Sequence, residues 1–422
     1  MLLSLVTFIA LARVQTSAPT LTVTPQNPTC IYQAGEKVGW NLSLPADTKV
    51  PELKFTVKAN NAVQLAQGPV KFDHGVAKIE TSVAEPAMIW LEITGPGRKP
   101  ATYGAAYQPT KIAPVVPRPN DFDSFWQRKI KELEAVPMNP KVTPIDIGRT
   151  DIEYGILQMD HVNGTQAHGQ WAKPKRAGKF PAMLILQWAS PPYPLDRSWA
   201  TNPARDGWLT LNIEPHNTLS NAPAEYYRNL PAELRNYQKI GWEDREKSYF
   251  VEMYLRGYRA VEYLSKCPDW DGKTIVVTGG SMGGQQSLAV AGLNRKVTHV
   301  IVNEPAGCDL NAPLHGRQVG YPFFPVDNAK VMETARYVDV VNFARNIRAH
   351  CLVAMGFIDN VAQPTGIWTA FNQIRGPKEA APMTEAPHNN TATWEQQRPY
   401  NDRAAEWLKA LVQGKPIPPR SK

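Results

Sequence analysis

The segment Thr274–Gly284 constrains the fold of this chain more than any other part of its sequence. It joins the β-branched run Thr274–Thr278 to the string Gly279-Gly280-Ser281-Met282-Gly283-Gly284, and an alanine- and leucine-containing run, Gln285–Asn294, follows. Glycines on both sides of a serine leave room for a sharp turn between a strand and a helix. The segment therefore predicts a nucleophile elbow with Ser281 as the candidate nucleophile, and a plain glycine-rich turn is the alternative.

The N-terminal residues 1–18 have the composition of a targeting segment. An apolar run, Leu2–Ala12, is followed by the small residues Thr16-Ser17-Ala18, which predicts a cleavable signal peptide and a secreted or periplasmic protein. The alternative is an uncleaved anchor, because no basic residues precede the apolar run and Pro19 follows the expected cleavage point. No other segment is long and apolar enough to predict an integral membrane domain.

Charge and cysteine content exclude several classes of protein. The formal net charge is +8, but Lys and Arg are scattered among Asp and Glu, so no nucleic-acid-binding patch is predicted. The wide spacing of the four cysteines excludes a compact zinc motif and a Cys-x-x-Cys redox pair. The sequence does not decide between disulfides and small buried thiols for the four cysteines, which are Cys30, Cys267, Cys308 and Cys351.

With 422 residues the chain exceeds one average domain, and two are expected. Residues 19–108 show short alternating apolar runs, such as Ile89, Leu91 and Ile93, which predict a small all-β, immunoglobulin-like sandwich. Trp40 and Trp90 are interpreted as core residues of this domain, with a sugar-stacking platform as the alternative.

A proline-rich segment, residues 109–119, predicts an extended linker between the two domains. The second domain is expected over residues 120–422. Asn120 or Asp121 is expected to cap its first helix, in which Phe122, Phe125 and Trp126 begin an apolar stripe at helical spacing.

Strand-like and helix-like segments alternate through this second domain. The alternation predicts an α/β fold with a doubly wound, mainly parallel sheet and helices on both faces. The clearest helical pattern runs from Lys247 to Cys267, and the terminal one from Trp394 to Leu411. The predicted strands are Met183–Leu186, Trp208–Ile213, Thr274–Thr278, Val297–Val302 and Cys351–Met355. In such sheets, active sites lie at the carboxyl ends of the strands.

A serine nucleophile requires a base and a group that orients the base. In doubly wound hydrolases the chain order is nucleophile, acid, histidine. Asp359 follows the strand Cys351–Met355, and His388 is the only histidine after it. The order therefore selects Asp359 as acid and His388 as base, although a turn or cap role for the aspartate and a surface role for the histidine are alternatives.

Two further residues are candidates for roles in this site. Asn360 is next to the candidate acid, but a neutral amide does not stabilise an imidazolium. Glu304 follows the strand Val297–Val302 and is a candidate pocket residue, although a solvated or capping role is favoured because glutamate is usually exposed.

The oxyanion of a tetrahedral intermediate requires two donors. One is expected to be the N–H of Met282, which follows the nucleophile. The other is expected in the loop Gln187–Tyr193, where the N–H of Ala189 is the leading candidate because proline has no N–H. Trp188 and Tyr193 are predicted to line the pocket, and the Tyr193 hydroxyl is a second possible donor.

Residues from about Arg118 to Gln413 resemble the acetyl xylan esterase and cephalosporin C deacetylase family of α/β-hydrolases. The resemblance lies in Asp121–Trp126, in the helical segment Tyr249–Ala260, in the elbow Thr278–Gly284 and in Gly356–Pro364, in that order. It implies the same triad of Ser281, Asp359 and His388, the same donors at Met282 and Ala189, and no metal or cofactor. It also implies association into a homo-oligomer.

The chain departs from the family pattern at two loops. Gln187-Trp188-Ala189 stands where the family usually has His-Gly-Tyr, and Glu214-Pro215-His216 stands where it usually has Arg-Gly-Gln. The first change implies a different pocket shape, and the second implies that a structural contact is missing or replaced. The chain is therefore identified as a divergent member, and its β-rich N-terminal region lies outside the resemblance.

The expected function is that of a secreted serine carboxylesterase that removes acetyl groups from acetylated xylan, xylo-oligosaccharides or other small esters through an acyl-enzyme. A serine peptidase of the prolyl-oligopeptidase type is an alternative, because Gly-Gly-Ser-x-Gly-Gly also resembles its elbow. A third hypothesis is a catalytically silent protein that binds polysaccharide or a cell-surface partner, since both pocket loops are altered.

Overall fold

The computed structural model describes residues 21–46, 48 and 52–420. The predicted signal peptide, residues 1–18, lies outside the described residues. The strands are β1 (Thr22–Pro25), β2 (Ile31–Tyr32), β3 (Val38–Ser43), β4 (Lys54–Ala59), β5 (Val63–Pro69), β6 (Val76–Thr81), β7 (Ala87–Thr94), β8 (Ala101–Tyr107), β9 (Lys141–Pro144), β10 (Ile152–Asp160), β11 (Gln166–Pro174), β12 (Phe180–Leu186), β13 (Leu209–Ile213), β14 (Trp270–Gly280), β15 (His299–Asn303), β16 (His350–Gly356) and β17 (Lys378–Met383).

Helices alternate with strands after residue 120. They are α1 (Phe122–Glu134), α2 (Ser198–Arg205), α3 (Ala224–Arg228), α4 (Tyr249–Leu264), α5 (Met282–Leu293), α6 (Ala329–Val338), α7 (Val340–Ala344), α8 (Pro364–Gln373) and α9 (Trp394–Val412). In the described part of the chain, none of these helices combines the length and the apolar character that crossing a membrane requires.

The N-terminal strands form two sheets. One has the order β1-β3-β6 and the other β2-β8-β7-β4-β5; all pairings are antiparallel except the short parallel pair of β2 and β8. Trp40 of the first sheet and Trp90 of the second are 1% and 6% exposed and belong to one apolar cluster. Both tryptophans are therefore core residues. The domain limits and the immunoglobulin-like class stay predictions.

The largest sheet contains nine strands in the order β17-β16-β15-β14-β12-β13-β11-β10-β9. Its pairings are parallel from β17 to β13 and antiparallel from β13 to β9. The five predicted strands all belong to its parallel part. The prediction of an α/β sheet with helices is confirmed, and the antiparallel strands β9–β11 were not predicted.

Alternating residues of β12 face different helices. Leu184 and Leu186 share an apolar cluster with residues of α4 and α5, whereas Met183 and Ile185 share another with Trp407 of α9. Since successive side chains of a strand point to opposite faces, these two clusters lie on opposite sides of the sheet. Helices therefore cover both faces, as expected for a sheet buried on both sides.

The predicted N-cap position of α1 is correct, but the expected capping hydrogen bond is absent. Asp121 occupies the N-cap position, but its side chain makes no capping hydrogen bond. The carboxylate instead accepts a hydrogen bond from the Tyr337 hydroxyl at 2.6 Å and pairs with Arg245 at 2.7 Å. These partners come from distant parts of the chain, so the local sequence pattern did not reveal them.

All four cysteines are free thiols. Cys30 and Cys351 are buried, and burial raises their pKa values, to about 11 and about 12. The open choice between disulfides and buried thiols is thus decided in favour of thiols.

Candidate active site

Ser281 lies at the sharp turn between β14 and α5, where its backbone has φ 51° and ψ −117°. A positive φ is strained for a residue with a side chain and persists only where surrounding contacts enforce it. Here the Ser281 N–H donates to the Asn303 carbonyl at 2.9 Å, and the Ser281 carbonyl accepts from the Ala306 N–H at 3.0 Å. The segment after β15 therefore holds the serine in place.

The glycines of the elbow allow it to touch the end of β12. A Cβ atom on Gly283 would lie 2.0 Å from the Leu186 carbonyl oxygen, and one on Gly279 would lie 2.6 Å from the same atom. Only glycine fits at such distances. The close approach brings the elbow against the strand that leads into the loop Gln187–Tyr193.

Three predicted site residues meet at the carboxyl edge of the sheet. The Ser281 Oγ lies 2.8 Å from Nε2 of His388, and Nδ1 of His388 lies 2.7 Å from Oδ2 of Asp359. Asp359 is 0% exposed and His388 is 6% exposed. With the imidazole proton on Nδ1, that nitrogen donates to the carboxylate, and Nε2 is free to accept the serine proton.

Asp359 is fixed by its own loop as well as by the histidine. Its Oδ1 accepts hydrogen bonds from the N–H groups of Val361 at 2.7 Å and Ala362 at 2.9 Å. The turn role that sequence reasoning treated as an alternative is thus present beside the contact with His388. Both oxygens are used, and the carboxylate is aimed at the ring.

Met282 and Ala189, the predicted oxyanion donors, lie on the two segments that meet at the elbow. Met282 is the first residue of α5, and the first N–H groups of a helix have no intrahelical acceptor. Among the described residues, the Ala189 N–H likewise has no protein acceptor. Neither N–H is therefore committed to a protein acceptor, and their role as oxyanion donors stays a prediction.

The loop that carries Ala189 is held on both sides of its N–H. The Gln187 carbonyl accepts from Nε2 of Gln286 at 2.6 Å, and the Ala189 carbonyl accepts from Nε2 of His216. Nδ1 of His216 accepts from the Tyr249 hydroxyl at 2.8 Å. Burial lowers the pKa of His216 to about 4, so the ring is neutral near pH 7 and makes both contacts.

His216 is a site residue that the sequence reasoning missed. The available signal was the departure Glu214-Pro215-His216 at the carboxyl end of β13. That departure implied a missing or replaced contact, and at this position the structure has a buried imidazole that contacts Ala189 and Tyr249. Its hydrogen-bond partner, Ala189, is 27 residues away in the sequence, so local spacing could not predict this contact.

Trp188 and Tyr193 stack on each other next to the Ala189 segment. Their ring centroids are 4.9 Å apart with an angle of 31° between the planes. The Tyr193 hydroxyl donates to Gln187 Oε1 at 3.3 Å, and it also lies 3.4 Å from the Trp188 carbonyl. Trp188 nevertheless stays 49% exposed. Tyr193 is thus committed to contacts within its own loop, and Trp188 presents an aromatic surface to solvent.

The favoured solvated or capping role of Glu304 is wrong. This residue is 0% exposed, and its Oε2 lies 3.8 Å from Nδ1 of His388. Burial, followed by the negative charge of Asp359, raises the pKa of Glu304 to about 9. The side chain lies behind the histidine because β15 and β16 are neighbours, which sequence reasoning did not use.

Among the described residues, one group of three side chains has ligand atoms close enough together to hold a metal ion. It consists of Glu304, Asp359 and His388, whose ligand atoms lie within 4.8 Å of one another. The Asp359 carboxylate and both nitrogens of His388 already make the contacts described above. This donor set is therefore engaged internally, and the chemistry of the serine requires no metal.

The fold and the site together define a class. A sheet covered by helices, with an elbow serine, a carboxylate and a histidine in that chain order at its carboxyl edge, is the architecture of serine esterases of the α/β-hydrolase type. Residues 107–410 match the family model described as acetyl xylan esterase (AXE1). The chain therefore belongs to the acetyl xylan esterase family and is an esterase.

A curated relative extends the comparison. The acetyl esterase Axe7A of Xylanibacter ruminicola is 29% identical over 367 residues, which cover 84% of each chain. This share of the chain is larger than the range matched by the family model, so the alignment reaches into the β-rich N-terminal part.

Two solved structures share the fold. Acetyl xylan esterase 1 of Thermoanaerobacterium sp. has a TM-score of 0.61 at 21% identity, and the acetyl xylan esterase of Paenibacillus sp. has a TM-score of 0.61 at 22% identity. Each match covers 72% of this chain and 98% of the other.

Proposed function

We propose that this esterase removes acetyl groups from carbohydrate through an acetyl-enzyme on Ser281. The observation that carries the mechanism is the continuous hydrogen-bond chain from Ser281 Oγ through His388 to Asp359, with distances of 2.8 and 2.7 Å. In this chain His388 accepts the serine proton, and Asp359 stabilises the imidazolium that forms.

The reaction has two halves. The Ser281 oxygen attacks the acetyl carbon, its proton passes to Nε2 of His388, and the same proton then leaves with the sugar alkoxide as an alcohol. Water next attacks the acetyl-enzyme and gives one proton to His388, and the serine oxygen takes that proton back as acetic acid leaves with the other. In both halves the N–H groups of Met282 and Ala189 hold the oxyanion.

The aromatic surface of Trp188 supports an acetylated carbohydrate, such as acetylated xylan or xylo-oligosaccharides, as substrate. It follows the elbow-contacting strand β12 and immediately precedes the proposed donor Ala189. An exposed ring that is held by a second ring suits the apolar face of a sugar, because aromatic side chains combine large contact area with few rotatable bonds. Membership of the acetyl xylan esterase family points to the same substrate class.

Secretion to the periplasm or the medium and association into a homo-oligomer remain parts of this proposal. Secretion depends on residues 1–18 acting as a signal peptide, and cell fractionation with and without these residues tests it. Sedimentation of the purified protein tests the oligomer.

The peptidase alternative is less consistent with the N-terminal part. Residues 22–107 form sheets of three and five strands, whereas a peptidase of the prolyl-oligopeptidase type has a propeller of repeated blades. Rates of acetate release from acetylated xylo-oligosaccharides and of cleavage of aminoacyl amides decide between them. Faster cleavage of the amides would reverse the proposal.

The catalytically silent alternative is tested by covalent labelling. A fluorophosphonate probe is expected to label wild-type protein at Ser281 and to leave Ser281→Ala unlabelled. Absence of labelling in folded wild-type protein would favour the silent alternative.

A further inference from the structure

Glu304 is a buried carboxyl group for which the proposed mechanism has no use. It follows β15 with φ 46°, and its N–H donates to the Ala354 carbonyl at 3.1 Å. The side chain is 0% exposed, and among the described residues neither of its oxygens makes a hydrogen bond of normal geometry, although the Asn389 N–H is close enough to lower its pKa. A buried polar group without a good hydrogen bond is unfavourable, so its presence calls for a physical reason.

The carboxyl group points at the histidine of the site. Its Oε2 lies 3.8 Å from Nδ1 of His388, the nitrogen that Oδ2 of Asp359 contacts at 2.7 Å. Space for it depends on Gly356, since a Cβ atom there would lie 2.6 Å from Glu304 Oε1. A second carboxyl group is thus built into the fold beside the first.

The two acids cannot share this space as two anions. The titratable groups that face Glu304 are Asp359, His388 and, from α9, Tyr400. Burial and the Asp359 charge raise the pKa of Glu304, and a contact from the Asn389 N–H offsets part of the rise. At neutral pH Glu304 therefore holds its proton.

We propose that Glu304 is a reserve acid for His388, a positioning residue whose carboxylate accepts the Nδ1–H hydrogen bond when Asp359 cannot. The inference rests on the proposed roles of Ser281, His388 and Asp359. When the Asp359 charge is absent, Glu304 releases its proton to solvent, and the resulting carboxylate stabilises the imidazolium. No other bond is made or broken.

A double-mutant cycle tests the proposal. Rates on p-nitrophenyl acetate are compared for wild-type protein, Asp359→Asn, Glu304→Gln and the double variant. Glu304→Gln is expected to lower kcat at least about tenfold more in the Asp359→Asn background than in the wild-type background, because contacting groups that replace each other are not additive. In Asp359→Asn the rate should rise with pH as Glu304 ionises, and this rise should be absent from the double variant.

Glu214→Gln is the matched control, because Glu214 is a second buried carboxyl group, 1% exposed, whose pKa burial raises well above its usual range. It follows β13 and not β15. Its effect on kcat should be the same in both backgrounds. Circular dichroism and thermal unfolding show whether each variant is folded.

A readout that does not need turnover separates this inference from the proposed function. In proton NMR, the strongly downfield signal of the His388 Nδ1–H should persist in Asp359→Asn and vanish in the double variant. Equal effects of Glu304→Gln in both backgrounds, together with an unchanged signal in the double variant, would overturn the proposal. If Ser281→Ala kept full activity, the mechanism would fail while the NMR result would still report on Glu304.

Discussion

The Ala189 carbonyl accepts a hydrogen bond from Nε2 of His216 across 27 residues of sequence. Because the Ala189 N–H is a proposed oxyanion donor, this bond fixes the loop that has to present it. His216→Ala is expected to lower kcat on p-nitrophenyl acetate by about 10- to 100-fold with a smaller change in KM. Removing an oxyanion donor itself costs about 10²- to 10³-fold, and the effect of His216 is indirect.

His299→Gln provides the control for this prediction. His299 is a partly buried histidine whose pKa burial likewise lowers to about 4, but it packs beside His350 and Trp407 on the α9 side of the sheet. It should change stability more than kcat. Equal losses of kcat in both variants would contradict a positioning role for His216.

The histidines with lowered pKa values are each expected to make the protein less stable as the solution is acidified below the usual pKa of histidine. Burial lowers the pKa of His168, His216 and His299 to about 4, whereas the unfolded chain binds protons at about 6.5. Between these values the unfolded state holds more protons, so each histidine removes up to about 1.4 kcal/mol of stability per pH unit.

Urea unfolding at about pH 7 and about pH 5 measures this loss. His299→Gln removes one of the titrating groups, so its stability should decline less than that of wild-type protein over the same interval. An equal change in the free energy of unfolding for His299→Gln and wild-type protein would contradict the prediction.

The N-terminal sheets contact the segment that carries Asp359. A Cβ atom on Gly104 of β8 would lie 2.6 Å from both Cβ and the carbonyl oxygen of Phe357, two residues before the aspartate. Gly104→Val is therefore expected to displace this segment and to lower both kcat and thermal stability. Overpacking of this kind costs about 1–3 kcal/mol.

Gly68→Ala is a suitable control, since its Cβ would make an ordinary contact at 3.5 Å with Phe55 on the outer strands of the same sheet. It should leave kcat close to the wild-type value. A Gly104→Val protein with unchanged kcat and stability would show that the contact with Phe357 is unimportant.

Trp188→Ala is expected to raise KM for acetylated xylo-oligosaccharides about tenfold and to affect p-nitrophenyl acetate less. The reason is the loss of a stacking surface worth about 1 kcal/mol or slightly more. Trp199→Ala, which removes another exposed tryptophan, on α2, serves as the control. Equal changes of KM for both substrates would argue against sugar stacking on Trp188.

The sequence was sufficient to predict every parallel strand of the largest sheet except β17, and Ser281 and Asp359 each follow a predicted strand with a strong local pattern. His388 was selected because it is the only histidine after Asp359. Parallel strands end at one edge of the sheet, so chain order alone was enough to suggest that these side chains meet. The antiparallel strands β9–β11 lacked so distinct a pattern and were not predicted.

Contacts between distant segments could not be predicted in the same way. The Asp121 side chain makes no capping hydrogen bond because it contacts Tyr337 and Arg245 instead. His216 contacts Ala189 because the folded loop brings the two residues together. Glu304 was assigned to solvent from the usual behaviour of glutamate, yet strand order buries it behind His388. In each case the partner is set by the tertiary structure.

The most direct test of Ser281 as the nucleophile is to compare kcat/KM on p-nitrophenyl acetate for Ser281→Ala and Ser287→Ala. Ser287 is a buried serine of α5, six residues after Ser281, and its hydroxyl donates to the Gly283 carbonyl at 2.8 Å. We expect kcat/KM to fall about 10⁴-fold or more in Ser281→Ala, because the members of a triad act as a unit, and to fall only a few-fold in Ser287→Ala. Equal rates for folded Ser281→Ala and wild-type protein would contradict this expectation.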